Sequence, residues 1–223
     1  AWFPKPLSGT LVEAPRHIRV EGTDYILTVR GIGIVDALTI TAKTHEEFPL
    51  DFGVPISNPA FLQLGDNPQN SYFTILTDEG ELIKMALSGQ IMGRNKLPRI
   101  TETTDFSLCL SQPVENDYVI ARHDGKTVTF LEKDGSEIFR KTFSTKAEKL
   151  PQYFSFGANT KIFTVTDQTL RKTWLYYSDG GMIYNKPLDS DMEIGLRYSD
   201  IDEVFEVYKN YGRKTEMLKI IKQ

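Results

Sequence analysis

Apolar residues in this chain recur in short runs of four to six rather than at helical spacing. Tyr25-Ile26-Leu27-Thr28-Val29, Tyr72-Phe73-Thr74-Ile75-Leu76, Tyr118-Val119-Ile120-Ala121, Lys161-Ile162-Phe163-Thr164-Val165 and Val204-Phe205-Glu206-Val207-Tyr208 are β-branched and aromatic segments of strand length. Between them stand Asp78-Glu79-Gly80, His123-Asp124-Gly125, Asp134-Gly135 and Ser178-Asp179-Gly180-Gly181, the residue types that tight hairpins require. No stretch of a dozen residues carries a clean helical stripe; Ser199 to Tyr208 reads as a strand with a polar lead-in. The pattern predicts an all-β chain of consecutive antiparallel pairs.

The pattern repeats. Pro15-Arg-His-Ile-Arg-Val-Glu-Gly22 followed by Tyr25 to Val29 overlays Pro59-Ala-Phe-Leu-Gln-Leu-Gly65 followed by Tyr72 to Leu76. Asp105 to Leu110 followed by Tyr118, and Pro151 to Gly157 followed by Ile162, continue the series, with starts 44, 46 and 46 residues apart. A weaker fifth copy begins near Gly195-Leu196-Arg197-Tyr198. Third strands are expected at 34–40, 82–87, 128–131, 173–177 and 216–220, and fourth strands at Gln90-Ile91-Met92, Glu137 to Arg140 and Met182 to Asn185. A period near 45 residues with four strands per repeat is that of propeller blades. The expectation is one domain over 1–223, a five-bladed β-propeller with blades near 14–57, 58–103, 104–149, 150–193 and 194–223 plus 1–13.

The fifth copy runs out after its third strand. Trp2-Phe3-Pro4-Lys5-Pro6-Leu7-Ser8 matches Ile183-Tyr184-Asn185-Lys186-Pro187-Leu188-Asp189, so the N-terminal segment is expected to close the last blade against 216–220. Closure would remove a free sheet edge. Ile18, Leu62, Leu108 and Phe154, with Val20, Leu64, Leu110 and Phe156 two residues on, should form one apolar layer around the ring.

The repeat pattern, strongest from Leu150-Pro151-Gln152-Tyr153-Phe154 through Leu175-Tyr176-Tyr177-Ser178-Asp179-Gly180 to Pro187-Leu188, resembles the quinoprotein-like and FG-GAP-like β-propeller repeats of uncharacterised bacterial cell-envelope proteins. The resemblance implies the fold and a periplasmic or envelope location, with a cytoplasmic one as the alternative. The alternating-Asp calcium loop of FG-GAP repeats is absent, and Trp2 and Trp174 are the only tryptophans, so it implies no metal, quinone or other cofactor.

Composition narrows the functions. A net charge of −4 lacks the basic footprint that phosphate contacts demand, so nucleic acid is not an expected partner. No apolar run reaches the length of a membrane span. The chain opens on Ala1 rather than Met, which leaves room for a leader, anchor or domain before it. A single cysteine, Cys109, excludes an intramolecular disulfide and reads as a core thiol.

Chemistry-bearing motifs are sparse. His17, His45 and His123 show no metal-ligand spacing. Gly31-Ile32-Gly33-Ile34 lacks the third glycine of a dinucleotide loop, and no Gly-x-Ser-x-Gly occurs. Carboxylates at blade entrances suited to glycoside chemistry would be Glu13, Asp51, Asp105, Glu148 and Asp191 or Glu193. Arg16, Arg19 and Arg197 lie on innermost strands and are the candidate ligand contacts at a central channel mouth, alternatively paired with Glu13, Glu21 or Glu193. The reading is a monomeric, non-catalytic binding or scaffolding propeller for a protein, small polar ligand or glycan. The alternative is a carbohydrate-active enzyme or lectin.

Overall fold

The computed structural model describes residues 6–157 and 160–221. The chain divides into two compact units, Ala1–Arg99 and Ile100–Gln223, so the boundary falls between the second and third repeats.

The first unit contains two four-stranded antiparallel sheets: β1 (Arg16–Val20), β2 (Thr23–Arg30), β3 (Ile34–Leu38) and β4 (Leu50–Asp51), then β5 (Phe61–Gln63), β6 (Tyr72–Leu76), β7 (Glu81–Ala86) and β8 (Ile91–Lys96). The second unit continues with β9 (Asp105–Gln112), β10 (Tyr118–Asp124), β11 (Thr127–Leu131) and β12 (Glu137–Thr142), then β13 (Lys149–Ser155), β14 (Lys161–Asp167), β15 (Lys172–Tyr177) and β16 (Leu188–Asp189). These two sets of four join through a short parallel pairing of their first strands, Tyr153 with Ser111 and Phe154 with Gln112. A three-stranded sheet, β17 (Gly195–Ser199), β18 (Val204–Tyr211) and β19 (Lys214–Ile221), ends the chain.

Why the second strands read as unbroken apolar runs is visible in β14. Phe163 and Val165 point into a core shared with Phe130, Phe139 and Tyr153, while Ile162, on the opposite face, packs in a second core with Leu196, Phe205 and Val207. With a sheet on either side, neither face can be polar. The first unit uses aliphatics for the same purpose, with Val29, Val35, Ile75, Ile83 and Met85 buried in one cluster.

Each boundary between repeats carries a polar clasp that the apolar pattern does not reveal. A polar group before each inner strand meets a residue at or near the end of the strand that follows it. Ser57 donates to Asp78 from both its N–H and its Oγ at 2.8 Å. Thr104 Oγ1 donates to Asp124 Oδ1 at 2.6 Å, and Thr145 Oγ1 donates to Asp167 Oδ2. In the last repeat, the Asn210 carbonyl accepts from Asp191 N–H at 2.8 Å.

Two expectations change, and a third falls outside the described residues. The fourth strand of the fourth repeat is Leu188–Asp189, not 182–185; Met182 makes only an isolated bridge to Tyr176, and Pro187 brings no N–H to a longer ladder. Leu64 is 49% exposed, so the expected apolar layer is broken there, because β5 ends at Gln63 and Leu64 lies beyond it. The expected closing strand falls on Trp2 to Lys5, which lie outside the described residues; among those described, β19 pairs with β18. The described sheets hold four, four, eight and three strands and do not by themselves set the blade number.

Candidate functional site

In the second unit the turn between β10 and β11, the lead into β9 and the lead into β13 meet around a cleft of about 500 Å³. Its walls are Thr103, Asp105, Ser107, His123, Gly125 and residues 146–149. The β9–β10 register places His123 directly opposite Asp105, with Ser107 opposite Ala121. Residues two apart on a strand share a face, so Asp105, Ser107 and His123 stand on one side of the ladder. Ser107 Oγ and His123 Nε2 lie 3.0 Å apart. Burial dominates the imidazole and pushes its pKa below the ordinary histidine range, although Asp105, Glu148 and Asp124 each pull the other way. At neutral pH the ring is therefore uncharged.

Two clasps adjoin the residues that line this cleft. Asp124 takes Thr104 Oγ1 on one oxygen and Arg122 Nε on the other at 2.9 Å. Lys149 and Asp167 make an ion pair of 3.1 Å with side chains 2% and 0% exposed. Lys149 also donates to Thr145 Oγ1 at 3.0 Å and to the carbonyls of Thr145 and Ala147, and Leu170 N–H donates to Asp167 Oδ1 at 2.9 Å. Burial opposes the Asp167 charge. The hydrogen bonds from Thr145, Leu170 and Lys149 outweigh that penalty and hold the carboxyl below its usual range. Lys149 is thereby committed to structure, which leaves Lys146, exposed at the rim, as the cation facing a ligand.

The sequence-derived candidates distribute as follows. Asp105 and Glu148 come together in this cleft. Glu13 is held by Arg16, whose Nε and Nη2 donate at 2.9 and 2.7 Å, and its other oxygen accepts Ala60 N–H at 2.8 Å. Asp51 caps Gly53 N–H. Asp191 binds Arg171 and Gly212 N–H, which keeps its carboxyl ionised to lower pH than usual. Glu193 is shifted the other way by burial. Arg16 faces the side of buried Ile18 and Val20, whereas Arg19 is exposed on the opposite side of β1, across the ladder from Asp24. Arg197 is exposed on β17, opposite Glu206. His17 and His45 meet at Asp24, one on its carboxylate at 2.9 Å and the other on its carbonyl at 3.0 Å. Among the described residues no group of three or more His, Cys, Asp or Glu is placed to hold a metal ion. Cys109 is buried and its thiol is pushed up to about 12, so it is inert at neutral pH.

Sequence reasoning missed the Ser107–His123 pair. Strand pairing runs antiparallel from Leu110 opposite Tyr118, and only that register, set by the 113–117 connection, brings His123 over to residues 105–107.

A second concavity of about 570 Å³ in the same unit lies between residues 182–185 and 219–221. Met182, Tyr184 and Ile221 around it are exposed apolar side chains.

No family model and no curated protein matches the chain. Among solved structures, BBS1N in complex with ARL6DN is similar at 12% identity and a TM-score of 0.57, over 99% of this chain and 68% of that one. Streptogramin B lyase is similar at 12% identity and a TM-score of 0.50, over 96% and 70% of the two chains. BamB from Moraxella catarrhalis is similar at 12% identity and a TM-score of 0.49, over 96% and 66%. Identities this low speak to the fold alone, and the fold is all-β and of propeller type.

Proposed function

We propose that this chain is a binding or scaffolding β-propeller that takes a polar ligand or a polar partner segment in the cleft at the start of β9 and β13. The observation that carries the reading is the joining of Asp105 and Glu148, contributed by the leads into two consecutive inner strands, with Lys146 and the neutral His123 around one open volume. A few polar groups converging on a concavity are what a binding site requires. The fold likeness to BBS1N, solved with a protein partner bound, supports a role in association. Arg19 and Arg197, each exposed on an inner strand of its own unit, are proposed separately as ligand contacts, while Arg16 clamps Glu13.

The two carboxylates favour a second reading, a lectin or carbohydrate-active protein. Glycan and peptide arrays probed with the parent and with an Asp105→Ala/Glu148→Ala variant separate the two. Signals on glycans that vanish in the variant support the carbohydrate reading, and signals on peptides that vanish support a protein partner. Binding that survives the double substitution removes the cleft from either.

We further propose that the five repeats are five blades and that residues 2–7 supply the fourth strand beside β19. The support is the match of residues 2–8 to 183–189, where Ile183 N–H donates to the Leu175 carbonyl at 3.0 Å and Leu188 pairs with Thr173. Deleting residues 1–6 is the clean test. A longer deletion would also remove Ser8, an acceptor for Arg30, and Val12, whose N–H bonds Val29. The thermal midpoint of the truncated chain is expected to fall by about 5 °C or more. An unchanged midpoint refutes closure.

A further inference from the structure

We propose that Ser107 is a nucleophile activated by His123, and that the cleft transfers the acyl group of a small polar ester to water. The proposal deepens the binding reading, since it assigns a reaction to the same cleft, and it rests on that reading for the site.

The geometry supplies a nucleophile and a base in contact, Oγ to Nε2 at 3.0 Å, within the reach that proton transfer requires. Both side chains border the cleft, so an electrophile entering it meets the hydroxyl. Their strands are locked at this end by Thr104 on Asp124 and by Arg122 on the same carboxylate. A hydrogen-bonded pair on two rigid strands holds its orientation better than one on loops.

The charged groups acting on the imidazole are Asp105 on β9, Asp124 on β10, Glu148 in the lead into β13 and Lys149 at its first position. Burial keeps the ring neutral in the resting state, as a base must be. Of the surrounding charges Asp105, opposite it in the ladder, contributes most to steadying the imidazolium once a proton arrives. Asp105 is thus a positioning and charge-stabilising residue, and Lys146 at the rim is the group available to a developing oxyanion.

The step balances within the site. Ser107 Oγ forms a bond to the carbonyl carbon as its proton passes to His123 Nε2. The ester C–O bond then breaks and the leaving alcohol takes that proton. Water attacks the acyl-serine with His123 again as base, which releases the acid and restores the hydroxyl.

The test uses a fluorophosphonate probe on the full chain, where Ser107 would displace fluoride, followed by peptide mapping by mass spectrometry. Modification is expected at Ser107, absent in Ser107→Ala and slowed about 100-fold or more in His123→Gln. The labelling rate of the parent should rise with pH to a plateau, with its midpoint below the usual imidazole value of about 6.5. Thermal melts of both variants establish that they are folded, and the parent's pH profile stands without them. No modification of Ser107, equal labelling of folded His123→Gln, or a rate flat across pH 4–8 would each overturn the proposal. Array binding that depends on Asp105 and Glu148 without labelling at Ser107 would overturn the reaction and leave the binding reading in place.

Discussion

Phe163→Ala is expected to lower the stability of the second unit by about 3–5 kcal/mol, which is a fall of about 10–20 °C in its thermal midpoint. Phe163 is fully buried, with ring centroids 5.0 Å from Phe130, 5.2 Å from Phe139 and 5.3 Å from Tyr153. Two of those contacts are edge-to-face, and the ring lies where the third and fourth repeats pack on each other. Its removal leaves a void walled by three other aromatic rings on paired strands, which cannot collapse inward. Phe163→Leu retains most of the volume and should cost less than about 2 kcal/mol. Calorimetry of both variants checks the argument, and equal losses would mean that the aromatic cluster is not what joins these repeats.

The second large effect belongs to the buried ion pair. Lys149→Met leaves the Asp167 carboxylate charged and without its cation at 0% exposure, and about 3–5 kcal/mol of stability should be lost. Adding Asp167→Asn should restore most of that loss. The neutral amide keeps its oxygen for Leu170 N–H, its NH2 can donate to the Thr145 hydroxyl oxygen, and no buried charge remains. The pair also sets an acid response. The Asp167 carboxyl is held below its unfolded value of about 3.9, so its contribution is complete above that pH and disappears as the pH falls through the lower, folded value. Urea titrations between pH 2 and 6 should therefore show a steeper loss in the parent than in Lys149→Met/Asp167→Asn. Parallel curves would mean that the pair does not carry this part of the acid sensitivity.

Both effects arise at the boundary between the same two repeats, one apolar and one polar, and Lys149 of the polar one lines the cleft. Changes to Ser107 or His123 leave Phe163 and the Lys149–Asp167 pair in place. Function can therefore be probed there with little disturbance to the core. That separation follows from position along β9: Asp105 is exposed and Ser107 half-buried at the start of the strand, and Cys109, two residues further along the same face, is the first there to enter the core shared with Phe163.

The amino-acid sequence alone determined the strands and their repetition, because a segment such as Tyr118 to Ala121 carries its strand preference and its two buried faces in its own residue types. Hairpins followed, since Asp-Gly and Gly-Gly turns act over a few residues. Fourth strands were harder to read, as Leu50–Asp51 and Leu188–Asp189 show, because two-residue outer strands hold too few positions for an alternation to register. What only the tertiary structure decided is which distant polar groups meet. Thr145 with Asp167, Lys149 beside both, and Ser107 with His123 depend on strand register and on the parallel contact of β9 with β13. Apolar periodicity records how deeply a residue is buried, but register comes from loop lengths and from the packing of whole sheets, and no single segment carries that information.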